Sequence, residues 1–232
     1  MYISCKNNQP VLQKTQGEIT MLKKLEGAWL NPGETLVCFG DSLTAAQSGY
    51  MSILEEKLSA QGVKVINAGL GGDKTPAALT RLDSAVGVHN PDAVSIFLGA
   101  NDAAVGRGIW ADEPIVSPEC YLGNLEWIVH LLRLKYNVKK FSIATPLWRF
   151  EGETYAMHGD ILAAYRLAAR DAADKMGTLL VPLDTVWEDA VIKNESRRDP
   201  ATGYLLTKDG THPTAEGYKI IAEAFLKYWQ MA

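Results

Sequence analysis

Cysteine is scarce: Cys5, Cys38 and Cys120 are the only three in 232 residues, an odd and widely spaced set without a C-x-x-C pair. That pattern excludes a disulfide framework and a thiolate zinc site, and it suits a reducing, cytoplasmic compartment. Cys38 lies inside an apolar run and reads as a small buried hydrophobe rather than a reactive thiol. Long apolar runs are also missing. The longest are strand-sized, against the ~20 residues a spanning helix needs, and the opening MYISCKNNQP has no apolar export core. Membrane insertion is not expected. Charge of one sign forms no block: 23 Lys and Arg stand against 27 Asp and Glu, a net charge of −4. Nucleic-acid binding, which draws its affinity from phosphate neutralisation, is therefore not expected either. No G-x-G-x-x-G or metal-binding motif occurs, and no cofactor or metal is implied. The run Gly69-Leu70-Gly71-Gly72-Asp73-Lys74-Thr75 invites comparison with a phosphate loop, but Asp73 stands where that loop needs glycine and would repel phosphate.

What is present is an ordinary globular composition, with 47% hydrophobic and 22% charged residues, enough for a sizeable core. No repeat or Pro/Gly/Ser-rich linker divides the chain. Residues 1–34 read as a polar tail and one helix packed on a single domain formed by 35–232. From Thr35 onward, short β-rich runs alternate with helix-length segments: TLVCF at 35–39, VKVIN at 63–67, AVSIFL at 93–98, KFSIA at 140–144 and TLLVPL at 178–183. Strands separated by helices imply an α/β fold with a parallel sheet.

The intervening segments carry the helical period. Leu122, Leu125, Val129 and Leu132 share one face, as do Ile161, Tyr165, Ala168, Ala172 and Met176. The last segment places Tyr218, Ile221, Ala222, Phe225, Leu226 and Trp229 in one apolar stripe that should dock on the sheet. In open α/β sheets the ligand crevice lies beyond the carboxyl ends of the strands. Four segments therefore matter: Gly40-Asp41-Ser42, Asn67 through Asp73, Gly99 through Asp102, and Asp209-Gly210-Thr211-His212 before the final helix.

A serine hydroxyl needs an imidazole to take its proton, and that imidazole needs an orienting group. The chain has four histidines. His89 sits in a polar turn, His130 within a helix, and His158 at the opening of another. Only His212 follows a carboxylate by three residues on a loop ahead of a helix. The four blocks FGDSLT (39–44), NAGLGGD (67–73), LGAND (98–102) and DGTHP (209–213) in this order resemble the SGNH, or GDSL-type, hydrolases from about Thr35 to the C-terminus.

The resemblance implies a three-layer α/β/α sandwich, its five-stranded parallel sheet in the flavodoxin-like order 2-1-3-4-5. It implies a serine esterase acting on a small-molecule carboxylic ester, with Ser42 as nucleophile, His212 as base and Asp209 as its orienting partner. The oxyanion hole would be the backbone N–H of Ser42 and of Gly72 together with the Asn101 side-chain amide. Gly72 is preferred over Gly71 because the family's donor glycine precedes an Asp-like position, here Asp73. Glycine lets backbone approach the substrate oxygen, and an asparagine can donate through its NH2 while its C=O anchors to the protein. Asp41, Asp73 and Asp102 are read as loop-fixing residues.

The α/β-hydrolase elbow is disfavoured because Thr44 replaces its second glycine. Acyl transfer to an alcohol, an acyl-thioesterase or lysophospholipase-like activity, and a non-enzymatic binding module are the other readings. The last would be expected to lack a block, and none is missing. Loops 103–117, 146–157 and 194–208 should border the crevice, with Trp110, Trp148 and Arg149 as candidate substrate contacts. Their mixture of single aromatics and charges, including Arg197, Arg198 and Asp199, favours a short acyl group, acetyl, on a polar or sugar-like alcohol.

Overall fold

The computed structural model describes residues 27–104, 113–147 and 159–232. The helix expected within the first 34 residues, the candidate contacts Trp110, Trp148 and Arg149, and His158 all lie outside the described residues. In chain order the elements are β1 (Thr35–Gly40), α1 (Ser42–Ala45), α2 (Tyr50–Ser59), β2 (Lys64–Gly69), α3 (Thr75–Thr80), α4 (Leu82–Ala85) and β3 (Ala93–Phe97). They continue with α5 (Pro118–Tyr136), β4 (Lys140–Ala144), α6 (Ala163–Lys175), β5 (Leu179–Val181), α7 (Leu183–Asn194) and α8 (Ala215–Tyr228).

The five strands pair in parallel in the order β2-β1-β3-β4-β5, as the resemblance implied. Strand side chains alternate between faces, so each strand feeds two cores. Leu36, Cys38, Ala93 and Phe97 join one cluster with α2, α7 and α8, whereas Val37, Phe39, Val94 and Ile96 join the other with α3 to α6. A sheet covered on both faces makes its inner strands largely apolar, and β3 is buried throughout with Ser95 its one polar residue. Edge strand β2 is only partly covered.

Helix ends follow local chemistry. The Ser117 hydroxyl accepts the Cys120 N–H ahead of Pro118, and Thr214 caps α8 by accepting the Gly217 N–H. Every residue of the predicted α8 stripe is buried. Phe225 lies between the rings of Tyr50 and Trp229, with centroids at 5.3 and 4.9 Å. Burial of one such ring contributes roughly 1.5–3 kcal/mol. Trp29 stacks on Trp229, and its N–H donates to the Trp229 carbonyl, which docks the segment before β1 on this layer.

Two sequence expectations shift in detail. The last run stops pairing at Val181 because Pro182 has no N–H to donate, and Leu183 already begins α7. Ile161 and Met176 flank α6 rather than belonging to it, and both are only partly buried.

Candidate active site

Register brings three of the four segments together. Gly40 pairs with Gly69 on one side and with Phe97 on the other, so Ser42, Gly72 and Asn101 follow aligned strand ends by two, three and four residues. Gly40 is required where the chain turns from β1 into α1: a Cβ there would fall 2.0 Å from Thr44 Oγ1 and 2.7 Å from the Phe97 carbonyl. Asp41, not Ser42, caps α1, its carboxylate accepting the Leu43 N–H at 2.9 Å. Ser42 is thereby the first helical residue, with its backbone N–H outside the helix's own hydrogen bonds.

The fourth segment arrives from the other end of the chain. An antiparallel bridge between Thr207 and Pro213, with Lys208 N–H donating to the His212 carbonyl at 2.8 Å, closes a tight loop before α8. Inside it, Asp209 Oδ1 accepts the backbone N–H of Thr211 at 2.9 Å and of His212 at 2.7 Å. Its other oxygen, Oδ2, lies 2.7 Å from His212 Nδ1, and His212 Nε2 lies 3.1 Å from Ser42 Oγ. Nδ1 facing a carboxylate carries the proton, which leaves Nε2 as the acceptor for the serine hydroxyl. Partial burial pushes the Asp209 carboxyl up, but the hydrogen bonds from the His212 backbone and ring and from Thr211 outweigh it and hold the carboxyl below its ordinary range. The carboxylate therefore stays charged beside the imidazole.

Gly72 adopts φ +83° in a turn where Asp73 N–H donates to the Leu70 carbonyl at 3.3 Å, a conformation that suits glycine. Asn101 is buried, and its Nδ2 donates to the Asp73 carbonyl at 2.9 Å. The amide NH2, which the sequence reading assigned to the substrate, thus also bonds the protein, and one of its N–H groups is engaged there.

The three motif aspartates are structural. Asp41 caps α1, Asp73 pairs with Arg81 at 2.5 Å, and Asp102 receives the N–H and hydroxyl of Thr75. Burial raises the Asp102 carboxyl above its usual value even though the Thr75 hydrogen bonds draw it back. In the loop expected at 194–208, Arg197 pairs with Glu216 and Arg198 with Glu195, so both are engaged in surface ion pairs. His130 is exposed against Trp127 on the outside of α5, and Cys38 is fully buried, which pushes its thiol far up. No group of candidate metal ligands occurs among the described residues.

Sequence reasoning missed the residues that tie the strand ends together. The Asn67 side chain donates to the Thr44 carbonyl and accepts the Gly69 N–H, and Thr44 bonds the hydroxyl of Tyr50. Arg81 reaches across two strands. Asn67 stood inside a quoted block and was open to notice; Arg81 stood in a helical stretch with no local signal.

A serine, an imidazole and a carboxylate in hydrogen-bonded sequence at the carboxyl edge of a parallel sheet define an acyl-transferring hydrolase site. The family model for the GDSL-like Lipase/Acylhydrolase family matches residues 38–220, and the chain belongs to that family. It is an ester hydrolase. An acetylxylan esterase of Geobacillus stearothermophilus is 27% identical over 221 residues, spanning 85% of this chain and 94% of that enzyme. An arylesterase of Vibrio mimicus is 31% identical over 199 residues, spanning 82% and 85%. The solved structure of LAE5, an alpha/beta hydrolase enzyme from the metagenome of Lake Arreo, superimposes with a TM-score of 0.72 at 25% identity, over 88% of this chain and 99% of that one. No helix among the described residues is long and apolar enough to cross a membrane.

Proposed function

We propose that the chain deacetylates a sugar-like or other polar alcohol through an acyl-enzyme on Ser42, with His212 as base and Asp209 as its orienting partner. The observation that carries this is the continuous Ser42–His212–Asp209 chain at 3.1 and 2.7 Å. In the first half-reaction His212 Nε2 takes the hydroxyl proton as Ser42 Oγ bonds to the ester carbon, and the carbonyl electron pair moves onto oxygen. The N–H groups of Ser42 and Gly72 and the second amide N–H of Asn101 receive that oxyanion. Collapse expels the alcohol, which takes the proton back from the imidazolium. Water repeats the sequence and releases the acid. Asp209, held ionised by its three hydrogen bonds, stabilises the imidazolium in both halves.

The acetylxylan esterase relative supports the acetyl assignment, the arylesterase relative supports ester hydrolysis, and the charge-paired 194–208 loop supports a polar alcohol. Among the described residues Cys38 and Cys120 are both unpaired thiols, which supports a reducing compartment, the cytoplasm. Treatment with a fluorophosphonate should place the adduct on Ser42, and Ser42→Ala should lose about 10⁴-fold or more of the rate. An adduct on another serine overturns the mechanism. Measuring kcat/KM for p-nitrophenyl esters of increasing chain length, beside acetylated sugars and acyl-CoA thioesters, tests the substrate. A maximum at about two to four carbons is expected. A maximum at about eight or more would transfer the assignment to long-chain thioesters or lysophospholipids, since each buried CH2 contributes up to ~0.8 kcal/mol. A new ester formed in the presence of added alcohol would mark acyl transfer.

A further inference from the structure

Arg81 sits between α3 and α4, where the helical backbone breaks, and its side chain is largely buried at 16% exposure. Its guanidinium lies 4.4 Å over the ring of Phe39. From there it donates in three directions. Nη2 reaches the Gly40 carbonyl at the end of β1 at 3.0 Å, Nη1 reaches the Ala68 carbonyl near the end of β2 at 2.9 Å, and Nε reaches the Asp73 carboxylate at 2.5 Å. The first acceptor is two residues before Ser42, and the third is the residue after Gly72. Asp73 in turn uses its main-chain carbonyl to hold the Asn101 amide at 2.9 Å. One planar cation therefore touches the backbone leading to Ser42, the strand leading to Gly72, and the residue that aims Asn101.

Resting on the oxyanion-hole reading above, we infer that Arg81 is a positioning residue for this reaction, setting through Asp73 the spacing of the three oxyanion donors. The planar fork is what this arrangement requires. Three acceptors on three segments are matched by three N–H vectors in one plane, whereas a lysine offers a single point charge on a flexible stem. Asp73 is buried at 5% exposure and paired with this one guanidinium, so its side chain has little freedom to move while the pair is kept. If the Asp73 peptide turns, both the Gly72 N–H before it and the Asn101 amide bonded to it lose their aim. Arg81 itself touches no reacting atom.

The consequence is selective. A donor displaced by a fraction of an ångström still admits the ester but no longer meets the oxygen when it becomes charged, so kcat should fall while KM holds. Arg81→Lys is expected to lower kcat about 10- to 100-fold with KM within about two- to threefold of the parent. The discriminating measurement is the cycle with Asn101→Ala. In a chain that already lacks the amide, the same Arg81→Lys change should cost markedly less, because part of what it positions is gone. Asp73→Asn, which keeps the shape and leaves both strand carbonyls paired with Arg81, supplies a second cycle should Arg81→Lys fail to fold. It should lower kcat in the same sense, by less, and again less than additively with Asn101→Ala. Added guanidinium should restore part of the kcat of Arg81→Ala. Full additivity in the cycles, or a change confined to KM or to thermal stability, would make Arg81 a fold brace and overturn the inference. If Asn101→Ala leaves kcat untouched, it is the oxyanion-hole reading that falls instead, and the two failures are told apart by that single variant.

Discussion

Replacing Asp209 by asparagine keeps the shape of the site and reverses its proton logic. In the parent, Oδ1 accepts two backbone N–H groups, those of Thr211 and His212, and Oδ2 accepts the proton on His212 Nδ1. An asparagine has one oxygen and one NH2 to place. Turning the NH2 toward the two backbone donors would set donor against donor and forfeit two hydrogen bonds, each with a net value of about 1 kcal/mol. The oxygen therefore stays on the backbone, and the NH2 faces the ring. Nδ1 must then be the unprotonated nitrogen, so Nε2 carries the hydrogen toward Ser42 Oγ and has no lone pair for the serine proton. The loop keeps its fold and the substrate its contacts, while the base is in the wrong tautomer. A loss of about 10⁴-fold in kcat is expected, which corresponds to ~5.4 kcal/mol at about 1.36 kcal/mol per decade, with KM and the urea midpoint nearly unchanged. Asp209→Ala should lose less, about 10²- to 10³-fold, because the Asp209 side chain is half-exposed and water can meet Nδ1 in either tautomer. The assay is p-nitrophenyl acetate turnover together with the rate of fluorophosphonate capture by Ser42, which should fall in parallel. Activity of Asp209→Asn within about tenfold of the parent, or a greater loss for alanine than for asparagine, would refute the tautomer argument.

Asn101→Ala should lower kcat by about 10²- to 10³-fold, or ~2.7–4 kcal/mol, with little change in KM; a rise in KM alone would make Asn101 a substrate-binding residue instead. The same variant leaves the Asp73 carbonyl without its buried donor, so chemical denaturation should register a loss of about 1–3 kcal/mol. On the acidic side kcat/KM should rise with pH with a slope of one. Because Asp209 is held below the ordinary carboxylate range, it remains ionised throughout that limb and adds no second proton. A slope of two would contradict the charged pair.

Much of the architecture was legible in the chain itself, and for a local reason. Strands buried on both faces are near-continuous apolar runs, so AVSIF, polar only at Ser95, announces an inner strand, and helices that cover them must carry a stripe, as Tyr218 through Trp229 do. The site blocks were equally readable because they stand at strand ends, where backbone geometry demands particular residues: Gly40 for the close approach of Thr44, Gly72 for φ +83°. The loop at Asp209 is self-contained, its carboxylate bonding residues two and three positions ahead, so its chemistry is written within one short segment.

What tertiary structure decided is every relation between segments. Ser42 and His212 stand 170 residues apart, and only the docking of α8 on the sheet brings their side chains within 3.1 Å. That the Asn101 amide meets the Asp73 carbonyl depended on how the turn after β2 and the turn after β3 come together. Arg81 carries no mark in a helical sequence, since its three acceptors are two main-chain carbonyls and a carboxylate on separate segments. Backbone carbonyls are the same at every position, so a sequence cannot say which of them a guanidinium will find; the parallel register of β1 and β2 does.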